Sequence, residues 1–297
     1  SNETSLLPDL EFDSIQLNNI DLAYIDETNV LDTRFQVHEL TARINQFDLN
    51  GSFVDVAEIV LNGSRSNVSF GQLVRPVPST SSALEATPDT IAGWRVEAGA
   101  VRITDTDFAY RDDNQPRAEK GFDYFNIGVT GLNGVLTDFH YSDDTIRGRL
   151  ESLKASDHSG FILDDLRADF NYTAQSAEVD NLYLETPYTL LRDYIRVTYR
   201  NLETLTEELG SLTLTANIRE SHIGMTDVAF FAPFLDTIEV MQPLLTHTFH
   251  IDTEIEGRLD DLTIAHVELT ALDKTRVLAS LQLTGLPDTD QLQINLD

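Results

Sequence analysis

Cysteine is absent from the 297 residues of the chain, and basic residues are scarce. Without cysteine there can be no disulfide bond and no thiolate ligand for a metal ion. Only 20 Lys and Arg residues stand against 50 Asp and Glu residues, which gives a formal net charge of −30. A field of this sign repels phosphate backbones and anionic lipid headgroups, so it argues against nucleic acids and acidic membrane surfaces as partners.

Long hydrophobic runs and strong helix signals are also lacking. The longest apolar runs, such as residues 228–235, are far shorter than the roughly 20 residues of a membrane-spanning helix. Residues 1–4 have neither the basic nor the apolar region of a signal peptide, so we expect any anchor to lie outside this chain. Two short helices are predicted, near residues 201–210 and 227–236, and Pro233 limits the second.

Signatures of catalysis and of cofactor binding are missing as well. The chain has no G-x-S-x-G elbow, phosphate-binding loop, dinucleotide fingerprint or H-E-x-x-H pair. Among the seven histidines only His247 and His250 are close in sequence. Residues three apart on a strand point to opposite faces, which disfavours a metal site there. We therefore predict a protein that is not an enzyme and that needs no metal or cofactor.

Period-two alternation of apolar and polar residues runs through most of the chain. It is clear at residues 20–24, 195–199, 212–218 and 277–283. Strands with one apolar and one polar face are typical of antiparallel sheets that are wet on one side. The sequence therefore predicts an all-β protein. The dipeptides Asn50-Gly51, Asn62-Gly63 and Asn133-Gly134 predict chain reversals, because glycine accepts positive φ angles freely.

An internal repeat spans the first half of the chain. Residues 21–26 and 107–112 share the pattern Asp-x-Ala-Tyr-x-Asp at an offset of 107 − 21 = 86 residues, and residues 35–37 match residues 125–127 after an insertion. The stretch between the copies is rich in Pro, Ser and Thr. We therefore predict a first β-repeat unit at 1–75, a linker at 76–93, a second unit at 94–176 and further strands at 177–297.

A sheet that grows with each repeat must cover its apolar face. A sandwich with a filled core would do so, and so would a single sheet that curls into a trough wide enough for acyl chains. The residues alone slightly favour the filled core, whereas the repeat pattern and the shortage of covering helices favour the trough. The predicted lining residues, all apolar or aromatic, are Leu22, Tyr24, Phe35, Val37, Phe108, Tyr110, Ile127, Leu184, Val197, Leu214, Ile255 and Leu281.

Several segments, in their order, resemble the TamB family of AsmA-like proteins. They are residues 15–26 (IQLNNIDLAYID), 157–170 (DHSGFILDDLRADF), 181–189 (NLYLETPYT), 216–223 (ANIRESHI) and 227–233 (DVAFFAP), and the likeness covers roughly residues 10–297. The resemblance implies an elongated, curled sheet (a β-taco) with one or two short helices. It implies an internal segment of a longer, inner-membrane-anchored protein that crosses the periplasm of a Gram-negative bacterium.

The resemblance also implies a function. Phospholipid acyl chains would move along the apolar groove between the inner and outer membranes, and outer-membrane protein assembly would be supported. The partner of the full-length protein would be an outer-membrane barrel of the Omp85 superfamily (TamA-like). The family has no catalytic residues to transfer to this chain.

Two other functions remain open. The first is a cell-surface β-sandwich for binding or adhesion, with calcium held by acid pairs such as Asp105 with Asp107 and Asp26 with Glu27. None of these pairs fits the twelve-residue calcium loop with its central glycine and final glutamate. The second is a β-fold hydrolase, for which no pair of carboxylates stands out.

Overall fold

The computed structural model describes residues 13–26, 30–71, 93–201, 208–237, 239, 241–271, 275–286, 291 and 293–296. Within these ranges the protein is all-β with one short α-helix, as the alternation predicts. The chain forms two compact units. Unit 1 comprises residues 1–119, 123–143 and 155–161, and unit 2 comprises residues 120–122, 144–154 and 162–297. The predicted linker lies outside the described residues apart from Gly93.

Unit 1 is built from six strands. They are β1 (Ser14–Asp26), β2 (Leu31–Asp48), β3 (Phe53–Asn62), β4 (Arg65–Phe70), β5 (Arg95–Asp112) and β6 (Asn126–Tyr141). Their order in the sheet is β1, β2, β3, β5 and β6, and β4 pairs with both β2 and β5. β3 and β4 run parallel to β5, and the other pairings are antiparallel. The sheet of unit 1 is therefore mixed.

β3 and β4 are two halves of one interrupted strand. Both pair antiparallel with β2 and parallel with β5, in a register that continues across the break. The predicted reversal at Asn62-Gly63 is therefore wrong, because Gly63 has a φ of 61° and kinks the strand without turning it back. The predicted reversal at Asn133-Gly134 is also wrong, since both residues lie inside β6.

Kinks like the one at Gly63 occur at matching positions on β1 and β5, whereas β2, which lies between β1 and the β3–β4 strand, has no left-handed residue at the facing His38. Asn19 in β1 has a φ of 53°, and Asp105, which lies beside Gly63 in β5, has a φ of 46°. Their neighbours support them, because His38 Nδ1 lies 3.0 Å from Asn19 Oδ1 and the Asp105 amide donates to Asn133 Oδ1 at 3.2 Å. We call Asn19, Gly63 and Asp105 the kink line of unit 1.

The kink line changes the phase of the alternation. In β1 the apolar residues before Asn19 have odd numbers, as Ile15 and Leu17 do. Those after Asn19 have even numbers, as Ile20 and Leu22 do. A residue in the left-handed conformation adjusts the strand so that both sets can share one face. The offset of 86 residues that relates the two repeats also relates Asn19 to Asp105, so the repeat extends to backbone conformation.

The second part of the predicted repeat alignment is out of register. Phe35 pairs with Leu22, whereas Phe108, the equivalent of Leu22, pairs with Val129. By pairing partner, Phe35 therefore corresponds to Val129 and not to Phe125. Similar residue types a few positions apart misled the alignment, because only the hydrogen-bonding partner defines equivalence along a strand.

The core of unit 1 is small. Ala42, Val56 and Ala98 are buried beside one another on three neighbouring strands. Partly buried side chains pack around them, and these are Leu40, Val54, Ile59, Val101 and Phe139. Alanine at two of the three buried positions leaves room for these larger side chains to pack closely over them.

Unit 2 contains a long antiparallel series of strands. They are β7 (Thr145–Asp157, to Lys154 in this unit), β8 (Ile162–Leu163), β9 (Asp165–Thr173), β10 (Ser176–Glu185), β11 (Leu190–Thr198), β12 (Thr213–Gly224), β13 (Thr248–Arg258), β14 (Asp261–Ala271), β15 (Thr275–Thr284) and β16 (Gln293–Leu296). Each strand from β9 to β16 pairs antiparallel with the next, and β7 pairs with β9. Short 3₁₀ turns cover Leu209–Ser211, Pro233–Thr237 and Gln242–Leu244.

The only α-helix among the described residues is α1 (Met225–Phe231). It ends two residues before Pro233, which confirms the helix predicted near 227–236. Asp227 in its first turn accepts hydrogen bonds from the hydroxyls of Thr186 (2.5 Å) and Thr189 (2.6 Å), which tie the helix to the turn before β11. The other predicted helix falls mostly on residues 202–207, outside the described ranges, and the described part of it holds the first 3₁₀ turn.

Substitutions at left-handed positions test the kink line. Gly63→Ala should lower the free energy of unfolding by about 1–2 kcal/mol, because an L-residue is disfavoured at this φ. The new Cβ would also lie 3.3 Å from the His38 ring. Ser52→Gly is the matched control of opposite sign, since Ser52 has a φ of 49° in a turn. It should raise stability by up to about 1 kcal/mol. Urea unfolding measures both, and equal effects of the same sign would contradict the kink.

Candidate apolar binding face

Two apolar rows cross the strands of unit 2 side by side on one face of the sheet. Paired residues on neighbouring strands point to the same face, so the register defines each row directly. The first row contains Ile146, Tyr172, Ala177, Val197, Leu214, Gly257, Leu262 and Leu283. The second row contains Gly148, Phe170, Val179, Ile195, Ala216, Ile255, Ile264 and Leu281. With about 4.8 Å between strands, each row runs for roughly 34 Å.

The opposite face of unit 2 is polar along its whole width. One row between the two apolar rows contains Arg147, Asn171, Glu178, Arg196, Thr215, Glu256, Thr263 and Gln282. These side chains carry charges or hydrogen-bonding groups and suit contact with water. Unit 2 therefore presents one apolar and one polar surface from β7 to β15.

Kinks limit the apolar rows at one end. Asn181, Asp193 and Glu220 lie close together on β10, β11 and β12, and their φ values are 51°, 92° and 46°. Beyond this line the register shifts, and Leu184 pairs with Leu166 and Leu191 instead. Leu184 is thus apart from the rows that hold the other predicted lining residues of unit 2.

Unit 1 repeats the arrangement on a smaller scale. One row contains Leu22, Phe35, Ser66, Phe108 and Val129. The next row contains Tyr24, Thr33, Val68, Tyr110 and Ile127. Val37 lies beside the first row and pairs with Ile20. The structure therefore brings all seven predicted lining residues of unit 1 to one face.

Most side chains in the apolar rows are only partly shielded from water, although Ala216 and Leu262 in unit 2 are buried. No large side chain in the described part of the chain is less than 2% exposed. Leu22 and Tyr24 at the edge of unit 1 are 56% and 60% exposed, and Phe35 on the next strand is 42% exposed. Monomeric proteins rarely leave such contiguous apolar surface open unless it binds something.

Recesses also occur on the other, polar face of unit 1. Two of them overlap, have volumes of about 490 and 630 Å³, and share a floor that includes Ala109 and Gly128. Arg34 at the rim is paired with Asp32 at 3.3 Å, and Arg65 is paired with Asp107 at 3.3 Å. The charges around these recesses are therefore already neutralised, which gives them no clear preference for an anion or a cation.

A tight turn built on Asp157 closes one side of these recesses. Burial alone would raise the pKa of Asp157, but hydrogen bonds from the Ser159 hydroxyl and amide and from the Gly128 amide outweigh burial and hold the pKa below its usual value. His158, the next residue, covers Gly128, where a Cβ atom would lie 2.5 Å from its ring. This arrangement is a structural anchor for β6 and not a reactive site.

Histidines do not assemble into a metal centre in the described residues. His250 faces His222 on the neighbouring strand with ring centroids 5.6 Å apart, while His247 lies outside β13. Burial and the nearby His250 lower the pKa of His222. No group of three or more His, Asp or Glu side chains in these ranges is placed to hold a metal ion. Asp107 of the candidate calcium pair is engaged by Arg65 and by the Gly131 amide.

Comparison with protein-family models, with curated proteins and with solved structures finds no match to this chain. Among the described residues no helix has the length and apolar content that crossing a bilayer requires.

The sequence reasoning missed part of each row. In unit 2 it missed every member on β7, β9 and β10, including Ile146, Phe170 and Val179, and in unit 1 it missed Val68 and Val129. Alternation within 165–173 and 145–150 could have revealed them as strands. Which residues complete a row depends on pairing, which the alternation of a single strand does not contain.

Adjacent residues that face opposite ways give a direct test of the apolar face in unit 1. Phe108→Glu should reduce the fluorescence of a bound apolar dye several-fold, because a carboxylate in the row cannot be buried against the dye without cost. Ala109→Glu, one residue along β5 and on the other face, should leave dye binding near the wild-type level. Equal losses in both variants at unchanged thermal stability would contradict a binding face on this side.

Proposed function

We propose that this chain is a non-enzymatic, lipid-carrying segment of a periplasmic bridge protein of the TamB/AsmA-like type. It would hold phospholipid acyl chains on an apolar groove between the inner and outer membranes, support outer-membrane protein assembly, or both. The observation that carries the proposal is the pair of apolar rows on one face of unit 2, continuous over eight strands. The order of segments that resembles the family also supports it.

The size of the rows suits an acyl chain. Each buried methylene contributes about 0.8 kcal/mol, so eight methylenes laid along a row would contribute roughly 6 kcal/mol. Both rows consist of apolar residues or glycine, so an acyl chain that moves along a row stays in contact with apolar surface. Transport would therefore be passive, with no chemical step and no catalytic residue.

The polar headgroup would remain in water beside the strand ends. A phosphate buried against the apolar rows would lose its hydration without a compensating partner. The strongly acidic surface would repel anionic headgroups at a distance, so neutral headgroups fit better. Contact with an outer-membrane barrel of the Omp85 superfamily would be made by the full-length protein.

No specific observation favours the alternative of a calcium-dependent adhesion module. Its acid pairs are either engaged in ion pairs, as Asp107 is with Arg65, or lie partly outside the described residues, as Glu27 does. A role in adhesion therefore stays a prediction. A melting temperature that rises when calcium is added would support it.

Phospholipid that co-purifies with the chain is the first test of the proposal. Native mass spectrometry of a detergent-free sample should show bound phospholipid. Leu214→Glu should reduce its occupancy at least tenfold, because the carboxylate interrupts the first row beside Val197. Thr215→Glu, the next residue on the polar face, is the matched control and should retain lipid. Absence of lipid from the wild-type chain, or equal loss in both variants, would refute the groove.

Headgroup charge should affect lipid uptake in a salt-dependent way. A fluorescent phospholipid should be extracted faster from zwitterionic vesicles than from vesicles with a large anionic fraction, because the chain carries a formal charge of −30. The difference should shrink when the ionic strength rises from about 0.01 M to about 1 M, as the Debye length falls from roughly 30 to 3 Å. A preference for anionic vesicles at low salt would contradict this mechanism.

A further inference from the structure

The edge of the sheet in unit 1 is open at β1. Among the described residues β1 pairs only with β2. The Asp13 carbonyl accepts a hydrogen bond from the Ile44 amide of β2 at 3.0 Å, so odd-numbered backbone groups before the kink face β2. The even-numbered groups of this half, at residues 14, 16 and 18, face the open side because neighbouring residues alternate. An open edge of this length can pair with another strand.

The internal repeat shows which kind of strand fits this edge. β5 is the equivalent of β1 in the second repeat, with the same Asp-x-Ala-Tyr-x-Asp pattern and the same left-handed kink. The corresponding edge of β5 is occupied by β3 and β4 in parallel orientation. There the Gly63 amide donates to the Thr104 carbonyl at 3.0 Å, and the Asp107 amide donates to the Ser64 carbonyl at 2.9 Å.

The equivalent groups on β1 have the same orientation but no strand beside them in the described residues. An offset of 86 residues places the Asn18 carbonyl at the position of the Thr104 carbonyl, and the Asp21 amide at the position of the Asp107 amide. The hydrogen bond of the Asp13 carbonyl to β2 gives the same result independently. Because backbone groups of neighbouring residues point to opposite sides, the Asn18 carbonyl faces the open side.

Exposure of the edge side chains agrees with a missing neighbour. Tyr110 in β5 is half-buried and has the Phe70 ring of β4 at 6.2 Å. Tyr24, its equivalent in β1, is 60% exposed. Leu22 is 56% exposed, whereas its equivalent Phe108 is half-buried. A strand added beside β1 would cover both residues in the way that β4 covers β5.

We propose that the β1 edge binds, in parallel, a strand of the β3–β4 type from another β repeat. The partner is an extended segment of about ten residues with apolar alternation, followed by a glycine kink and a basic residue two positions later. The basic residue would pair with Asp21, as Arg65 pairs with Asp107 at 3.3 Å. This interface is made by the backbone edge of β1 and does not use the apolar rows of unit 2, so a failure of lipid binding there would leave it standing.

A peptide with the sequence of residues 53–70 is the probe, because it is the strand that covers β5. Each residue of β4 pairs with the β5 residue 42 positions later in the chain, and β1 precedes β5 by the repeat offset of 86 positions. A peptide residue should therefore lie beside the β1 residue 86 − 42 = 44 positions before it, which places residue 67 beside Ala23. The chain has no cysteine, so Ala23→Cys and a peptide carrying Asn67→Cys should form a single disulfide product. A peptide carrying Asp55→Cys instead is the matched control and should not be trapped. Equal trapping of both peptides would overturn the parallel register.

Proline at the edge separates strand addition from folding. The Ala23 amide faces the open side, as the Asp21 amide does, so Ala23→Pro removes no hydrogen bond to β2. This variant should melt like the wild-type chain and bind the fluorescent peptide at least tenfold more weakly. Unchanged peptide binding in a folded Ala23→Pro variant would overturn the proposal.

A charge exchange tests the interface without proline. A peptide with Arg65→Asp should bind the wild-type chain several-fold more weakly, and Asp21→Arg in the chain should restore its binding. No binding of the wild-type peptide at any soluble concentration would overturn the proposal. Sedimentation of the chain alone as a dimer that Ala23→Pro abolishes would also overturn it, because the edge would then serve a second copy of β1.

Discussion

Alternation of side chains along an extended strand is the constraint on which this structure depends. A shift of one residue sends every side chain of a strand to the other face of the sheet. Each long strand of unit 1 therefore needs a correction wherever its apolar phase changes. Left-handed residues provide this correction on β1, on the interrupted strand β3–β4 and on β5, at Asn19, Gly63 and Asp105 with φ values of 53°, 61° and 46°. Because they are aligned, the apolar face continues across the sheet.

The two faces divide the physical tasks of the molecule. Acidic and hydroxyl side chains on the polar face keep a protein with a net charge of −30 soluble. In ion pairs such as Arg43 with Glu58 the arginine side chain is exposed. Such pairs contribute little to stability, because water screens the two charges. Stability must come from backbone pairing and from apolar side chains that cover one another. The same half-covered side chains offer the surface that we propose for acyl chains, so folding and function draw on one feature.

Much of the local structure could be predicted from residues alone. Alternation located strands such as β1, β11, β12 and β15, and the one α-helix among the described residues ends before Pro233 in the predicted region. The predicted reversals at Asn62-Gly63 and Asn133-Gly134 were wrong because glycine fits several backbone conformations. Gly63 uses a positive φ to kink a strand, whereas Gly134 lies within β6. The deciding factor at Gly63 is that β2 and β5 hold the chain on both sides, and sequence next to the glycine does not contain that information.

The sequence by itself determined the all-β class, the two-faced character of each strand and the existence of two related repeats, since these depend on residues close together in the chain. Tertiary structure alone decided that β3 and β4 run parallel to β5, that Phe35 corresponds to Val129, and that Leu184 lies apart from the rows of Val197 and Leu281. The physical reason is that register arises from hydrogen bonds between segments far apart in sequence, and each bond depends on the strands already beside it.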